Sequence, residues 1–148
     1  MLPALASAAR PMVRRIGELA EAARSMGIQV VHATFQTTAH GRSPRSNVPL
    51  FAATERHTAE WVAGSAPVQV VSELGIGPDD LVMPRHHGVS PTQGTELLPL
   101  LRTIGAETLV VTTGVSLNIA IPSVVVDAVN EGFRVIVPTD AVAGTPLE

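Results

Sequence analysis

An α/β fold on a mostly parallel sheet is what this chain predicts, and three observations carry that expectation. Two short runs, residues 109–112 and 133–137, are apolar almost throughout and rich in β-branched side chains, as strands buried on both faces are. Between them residues 119–130 carry a helical pattern closed by Gly132, so the stretch reads as strand, helix, strand with a right-handed parallel crossover. Hydrophobic residues make up 45% of the chain and aromatics 3%, which leaves a core of Val, Leu, Ile and Ala, the composition such sheets favour.

The elements follow in order. Residues 1–10 are Ala-rich and read as helical or as a loose lead-in, and Pro11 suits the first turn of a helix. Val13, Ile16, Leu19, Ala23 and Met26 recur at helical spacing, with Arg14, Arg15, Glu18, Glu21 and Arg24 on the outer face. Gly27 closes this helix, and residues 28–34 form a strand. From 35 to 66 the chain turns polar and irregular: Arg42 and Arg45 read as solvated loop charges, while Phe51 and Trp61 anchor the loop to the core. Residues 68–71 form a strand or an extended linker, 75–80 a turn, and 81–83 a short strand running into Pro84, Arg85, His86 and His87. A short helix over 95–102 presents Leu97, Leu98, Leu100 and Leu101, tolerates Pro99 in its first turn and ends at Gly105.

At 148 residues the chain is expected to be one domain. A net charge of −3 offers no basic surface for nucleic acid, and no apolar run is long enough to span a membrane. With no Cys there is no disulfide and no thiolate metal site, which fits a cytoplasmic protein. In open parallel sheets ligands sit beyond the carboxyl ends of the strands, so residues 113–120 and 139–144 form the expected functional rim. His32 reads as a hydrogen-bonded core or rim histidine, and His40 and His57 lie in the long loop without metal-site spacing. Adjacent His86 and His87 point to opposite sides of an extended chain, so they make a poor ligand pair, and no metal or cofactor is implied. Asp127 is expected to tie its helix to a neighbouring backbone, and Asp140 to brace the rim.

The pattern Gly114-Val115, Asn118 and Ile121, then Asp127-Ala128, Gly132-Phe133, Val135 and residues 140–143 (Asp-Ala-Val-Ala) resembles the isochorismatase-like (cysteine hydrolase) superfamily. That resemblance implies a three-layer α/β/α Rossmann-like fold. It implies hydrolysis of small amides such as nicotinamide or carbamoyl compounds by a Cys with an Asp and a Lys. Isochorismatases proper hydrolyse a vinyl ether and do without the Cys. The family nucleophile stands two residues after the Asn, at the start of a helix whose dipole and free N–H groups lower a thiol pKa. Here that position is Ala120, and with no Cys among these residues thiol catalysis is excluded.

Ser90, Gly94, Thr95 and Leu97 keep the frame that follows the family's catalytic Lys, which puts the Lys position at His86, or at Arg85 with a loop one residue longer. Arg holds its proton near neutral pH and His does not, so His86 is the preferred acid–base residue, with Arg85 the other catalytic candidate. The resemblance further implies substrate binding by Val115, Ser116, Asn118 and Ala120, with a cis peptide between Val115 and Ser116. The family's first strand, mid-sheet and bearing the Asp, has no counterpart here, nor does its last helix. The expected function is hydrolysis of a small molecule at a vinyl-ether or related C–O or C–N bond. The other reading is a degenerate homologue that binds a ligand or builds an oligomer. A homo-oligomer, most simply a dimer, is expected from the nearly all-apolar 119–130 helix.

Overall fold

The computed structural model describes residues 2–38, 59–112 and 117–144. In chain order its elements are α1 (Leu2–Ser25), β1 (Val31–Phe35), β2 (Leu81–Arg85), α2 (Leu97–Thr103), β3 (Thr108–Val110), α3 (Ala120–Asn130) and β4 (Arg134–Ile136). Two 3-10 turns, Ala66–Val68 and Ser72–Leu74, flank residues 69–71, where Gln69 and Val71 are extended but belong to no strand, so of the two readings of 68–71 the extended linker holds from 69 on. The architecture is the mixed α/β one with parallel strands. β1 runs parallel to β2, from Val31 opposite Leu81 to Phe35 opposite Arg85. β3 runs parallel to β4, from Thr108 opposite Arg134 to Val110 opposite Ile136. Among the described residues no ladder joins one pair to the other.

Side chains join them instead. Leu97, Leu98 and Leu101 of α2 form one buried cluster with Ala128 of α3 and Phe133, and Val31, Met83, Leu109 and Val135 pack against it, one from each strand. Burying each leucine contributes about 2 kcal/mol. A second cluster, Val111, Ile121 and Val124, seats α3 on the β3–β4 pair. The opposite face of that pair is open: Val110 and Ile136, cross-strand partners, are 53% and 54% exposed.

All three helices stop in the same way. Ile28 N–H reaches Ala23 O at 2.9 Å and Gly27 N–H reaches Arg24 O at 3.0 Å; Ala106 and Gly105 repeat the pattern on Leu101 and Arg102, and Phe133 and Gly132 on Ala128 and Val129. This paired closure needs a left-handed residue at its bend, and Gly27, Gly105 and Gly132 supply φ of 69°, 78° and 89°.

α1 closes at Gly27 as expected, and of the two readings of residues 1–10 the helical one holds over 2–10, so the difference lies in the placing of Pro11. The helix starts at Leu2, so Pro3 is the proline of its first turn and Pro11 falls inside it. Ala4, Ala6, Ala8 and Ala9 supply enough helix propensity to carry the chain past one missing N–H. Met26 lies beyond the last turn and is exposed, while Ala9, Met12 and Ile16 are the buried face, packed on Ala141. No helix among the described residues is long and apolar enough to cross a membrane.

Arg24, expected in solvent, turns inward. Its Nε and Nη2 donate to Asp80 at 3.0 and 2.6 Å, and Gly77 N–H donates to the same carboxylate at 3.0 Å. His32 Nε2 completes the set at 2.8 Å, so the strand histidine is indeed hydrogen-bonded. The Asp80 side chain is 3% exposed, and three elements (α1, β1 and the turn before β2) meet on it. The Arg24 hydrogen bonds, helped by Gly77 and His32 and opposed by burial, hold this carboxyl well below the usual carboxylate range. Because its folded pKa is depressed, the stabilisation is fully present above the unfolded value of about 3.9 and is lost as pH falls below it. Asp80→Ala leaves a half-buried cation and a buried imidazole without their acceptor and is expected to cost about 3 kcal/mol in urea unfolding at pH 7. The gap between variant and parent should narrow as the pH drops below 4, and a constant gap down to pH 2 would contradict this assignment.

Candidate functional site

Parallel pairing sets the carboxyl ends side by side within each pair, Phe35 beside Arg85 and Val110 beside Ile136, and the expected site residues that are described can be placed against these ends. β2 runs two residues beyond the predicted strand and ends at Arg85, so His86 is the first residue past the sheet. The inward positions of β2 are Leu81, Met83 and Arg85, and His86 is exposed, with no hydrogen bond among the described residues. His87 folds back: its ring lies so near Gly94 that a Cβ there would meet Cε1 at 2.9 Å. The two histidines therefore diverge, and among the described residues no group of three His, Asp or Glu could hold a metal ion.

Arg85 and His86 have different surroundings. The Arg85 guanidinium is half-buried with its Cζ 5.2 Å from the centroid of the Phe35 ring. Phe35 in turn meets Trp61 edge to face, centroids 6.3 Å apart at 84°. Trp61 thus anchors the returning loop as expected, and the backbone helps: Thr37 N–H donates to Trp61 O at 2.8 Å and Thr37 bridges Val62. Burial lowers the Arg85 pKa, yet guanidinium remains charged near neutrality, so this residue offers charge and not proton exchange.

On the other side of the rim, α3 opens at Ala120, one residue later than predicted. Leu117 N–H donates to Ala143 O at 2.8 Å, which joins the turn before α3 to the segment after β4. Gly144 lies so close to Asn118 that a Cβ would fall 2.2 Å from Asn118 Oδ1, so only glycine fits there. Asn118 and Ala120 are therefore brought to the rim together. Pro122, third in α3, removes one of the N–H groups that a helix start normally offers an anion. Asp140 braces the rim through Arg15 of α1, Nε to Oδ2 at 2.8 Å, on the surface. Val115 and Ser116, with the peptide between them, lie outside the described residues, as do His40, Arg42, Arg45, Phe51 and His57.

The tie that sequence reasoning missed is Asp127. It binds side chains and not backbone: Ser90 Oγ donates to its Oδ2 at 2.8 Å and Thr92 Oγ1 to the same oxygen. Ser90 and Thr92 are both buried. Asp127 stands about two turns along α3 from Ala120, so the loop that follows Arg85 and His86 is fastened to the helix that opens at Ala120. The signal was present as an Asp in a helix with no other ionisable residue, but its partners are far off in sequence. A surface cavity of about 400 Å³ lies elsewhere, at the amino ends of β3 and β4, lined by Arg102, Glu107, Glu131, Phe133 and Arg134.

The isochorismatase domain matches residues 3–148. Among solved structures, an isochorismatase family protein from Desulfovibrio vulgaris is 29% identical over 93% of this chain and 70% of its own, with a TM-score of 0.76. N-carbamoylsarcosine amidase from Thermoplasma acidophilum is 26% identical over 95% of this chain and 73% of its own, TM-score 0.74. Nicotinamidase/pyrazinamidase from Bacillus subtilis shares the fold at 23% identity, TM-score 0.69, over 91% and 73%. No curated protein matches the chain.

The Asp127 tie is testable by itself. Asp127→Ala strands two buried hydroxyls and is expected to cost about 1–3 kcal/mol in denaturant unfolding. Ser90→Ala combined with Asp127→Ala should cost less than the sum of the singles, because the pair interacts directly. Strict additivity would show that the contact carries no energy.

Proposed function

We propose that this chain, which belongs to the isochorismatase domain family over residues 3–148, hydrolyses a small molecule at the carboxyl-end rim without a cysteine nucleophile. Membership of a family of hydrolases gives the reaction class. The observation that carries the reading is the fastening of the loop after Arg85 and His86 to α3 through Asp127, which supports reading these distant stretches of sequence as parts of one site. With Ala120 at the helix start, water must be the nucleophile. For a vinyl ether, an acid places a proton on the terminal vinyl carbon and water adds to the carbon bearing the ether oxygen. The resulting hemiketal then collapses to a carbonyl compound and an alcohol, and one proton returns to the medium. His86 is the acid–base group this rim offers.

One observation favours a second reading, a ligand-binding homologue without turnover. Ala120 removes the nucleophile, and Pro122 removes a donor that would hold an oxyanion. Steady-state hydrolysis over a panel of small amides, carbamates and isochorismate separates the two. Turnover that falls about 10²–10⁴-fold in His86→Gln, with the melting temperature unchanged, supports the enzyme. Saturable binding without turnover supports the second reading.

The protein is further proposed to act as a cytoplasmic homodimer. α3 has one ionisable residue, Asp127, and it is turned toward Ser90 and Thr92; Val126 and Val129 are 57% and 55% exposed. An apolar outer face on a helix suits contact with another subunit. Light scattering at micromolar concentration is expected to give twice the 15.4 kDa chain mass. A monomer whose Trp61 fluorescence is unchanged on dilution would contradict it.

A further inference from the structure

We infer that Arg85 is the anchor for a carboxylate on the ligand, and that the rim selects planar, unsaturated carboxylates over their neutral counterparts. This rests on the rim being the small-molecule site. A guanidinium carries five N–H donors in a fixed fork. Here two of them make only long contacts to backbone oxygens, Nη1 to Thr34 O at 3.4 Å and Nε to Gly88 O at 3.5 Å. Among the described residues Arg15 has Asp140 and Glu18 within reach, Arg24 has Asp80, Arg102 has Glu131 and Arg134 has Glu107, while Arg10 and Arg14, which have no ion pair, are exposed to solvent. Arg85 has none among the described residues, although it is more deeply set than Arg15, Arg102 or Arg134.

Removing a cation from water without a counter-charge is costly, and proteins normally avoid it. The cost is visible in the downward shift that burial alone imposes on this group. Such a cation is relieved when the counter-charge arrives with a ligand, and the guanidinium fork matches a carboxylate with two parallel hydrogen bonds. The neighbours add the shape requirement. The Phe35 ring lies against the guanidinium, Cζ 5.2 Å from its centroid, and Trp61 stands edge-on to Phe35, so two aromatic rings stand near the fork. Flat, unsaturated groups gain most from such rings. Position matters too: Arg85 is the last residue of β2 and Phe35 the last of β1, paired across the ladder at the carboxyl ends. The assignment gives Arg85 a binding role beside the acid–base role of His86.

Trp61 is the chain's single tryptophan, so its emission reports on this corner. Benzoate and benzamide have the same shape and differ in charge, and each is titrated into the parent protein and into Arg85→Met, which keeps the apolar stem over Phe35. Benzoate is expected to bind the parent about 10–100-fold more tightly than benzamide, the range one charge-assisted pair provides, and the preference should vanish in Arg85→Met. If the variant does not fold by circular dichroism, the parent comparison with its salt dependence decides: benzoate binding should weaken between about 20 and about 500 mM NaCl, over which the Debye length shrinks from roughly 20 to roughly 4 Å, and benzamide binding should not. Equal binding of the two probes, or a preference that survives Arg85→Met, overturns the inference while leaving the rim as a ligand site. Absence of any response from Trp61 to either probe overturns both.

Discussion

The two strand pairs share no backbone hydrogen bonds among the described residues, so the fold depends on the three leucines of α2. Leu97, Leu98 and Leu101 touch side chains from every strand through a single cluster, and that contact sets how one pair lies against the other. Hydrogen-bonded ladders are directional, whereas apolar packing fixes relative position only through close fit. A rim assembled from both pairs therefore inherits its geometry from side-chain packing and needs further fastening. The polar ties provide it.

Those ties divide the molecule into two ends. At the amino end of β1 and β2, Asp80 collects Arg24, His32 and Gly77 on one buried carboxylate, an arrangement that leaves no acceptor for a ligand. On the side of α3, Asp127 collects Ser90 and Thr92 and holds the loop after β2. At the carboxyl end the balance reverses. Arg85 keeps unused donors and His86 stands in solvent. Saturated polar groups stabilise, while unsaturated ones at a strand terminus are available for chemistry.

Much of this was readable from the residues. Strand and helix order from Leu97 onward followed from periodicity and from Gly105 and Gly132, because local rules govern helix closure. The start of α3 at Ala120 followed to within one residue from a motif of closely spaced residues. Arg24 and Asp127 were misjudged for a common reason: their partners lie 56 and 35–37 residues away, and nothing in a local window signals a contact of that range. Pro11 was misjudged because local rules conflict there, the alanine run favouring helix and the proline favouring a boundary. Residues 68–71 look extended by composition, but Pro67 and the short turns around them leave no room for a paired strand.

The central claim is that ligands meet this protein at the carboxyl ends of its strands and not at the cavity of about 400 Å³ at the other end. Backbone amide shifts of isotope-labelled protein, recorded on adding nicotinamide, a small carbamate or isochorismate, test it most directly. The account predicts shifts at Phe35 to Thr37, Arg85 to Ser90 and Leu117 to Ile121 for any member of that set that binds, with Glu107 and Arg134 unmoved. Shifts confined to Arg102, Glu107, Glu131 and Arg134 would contradict it.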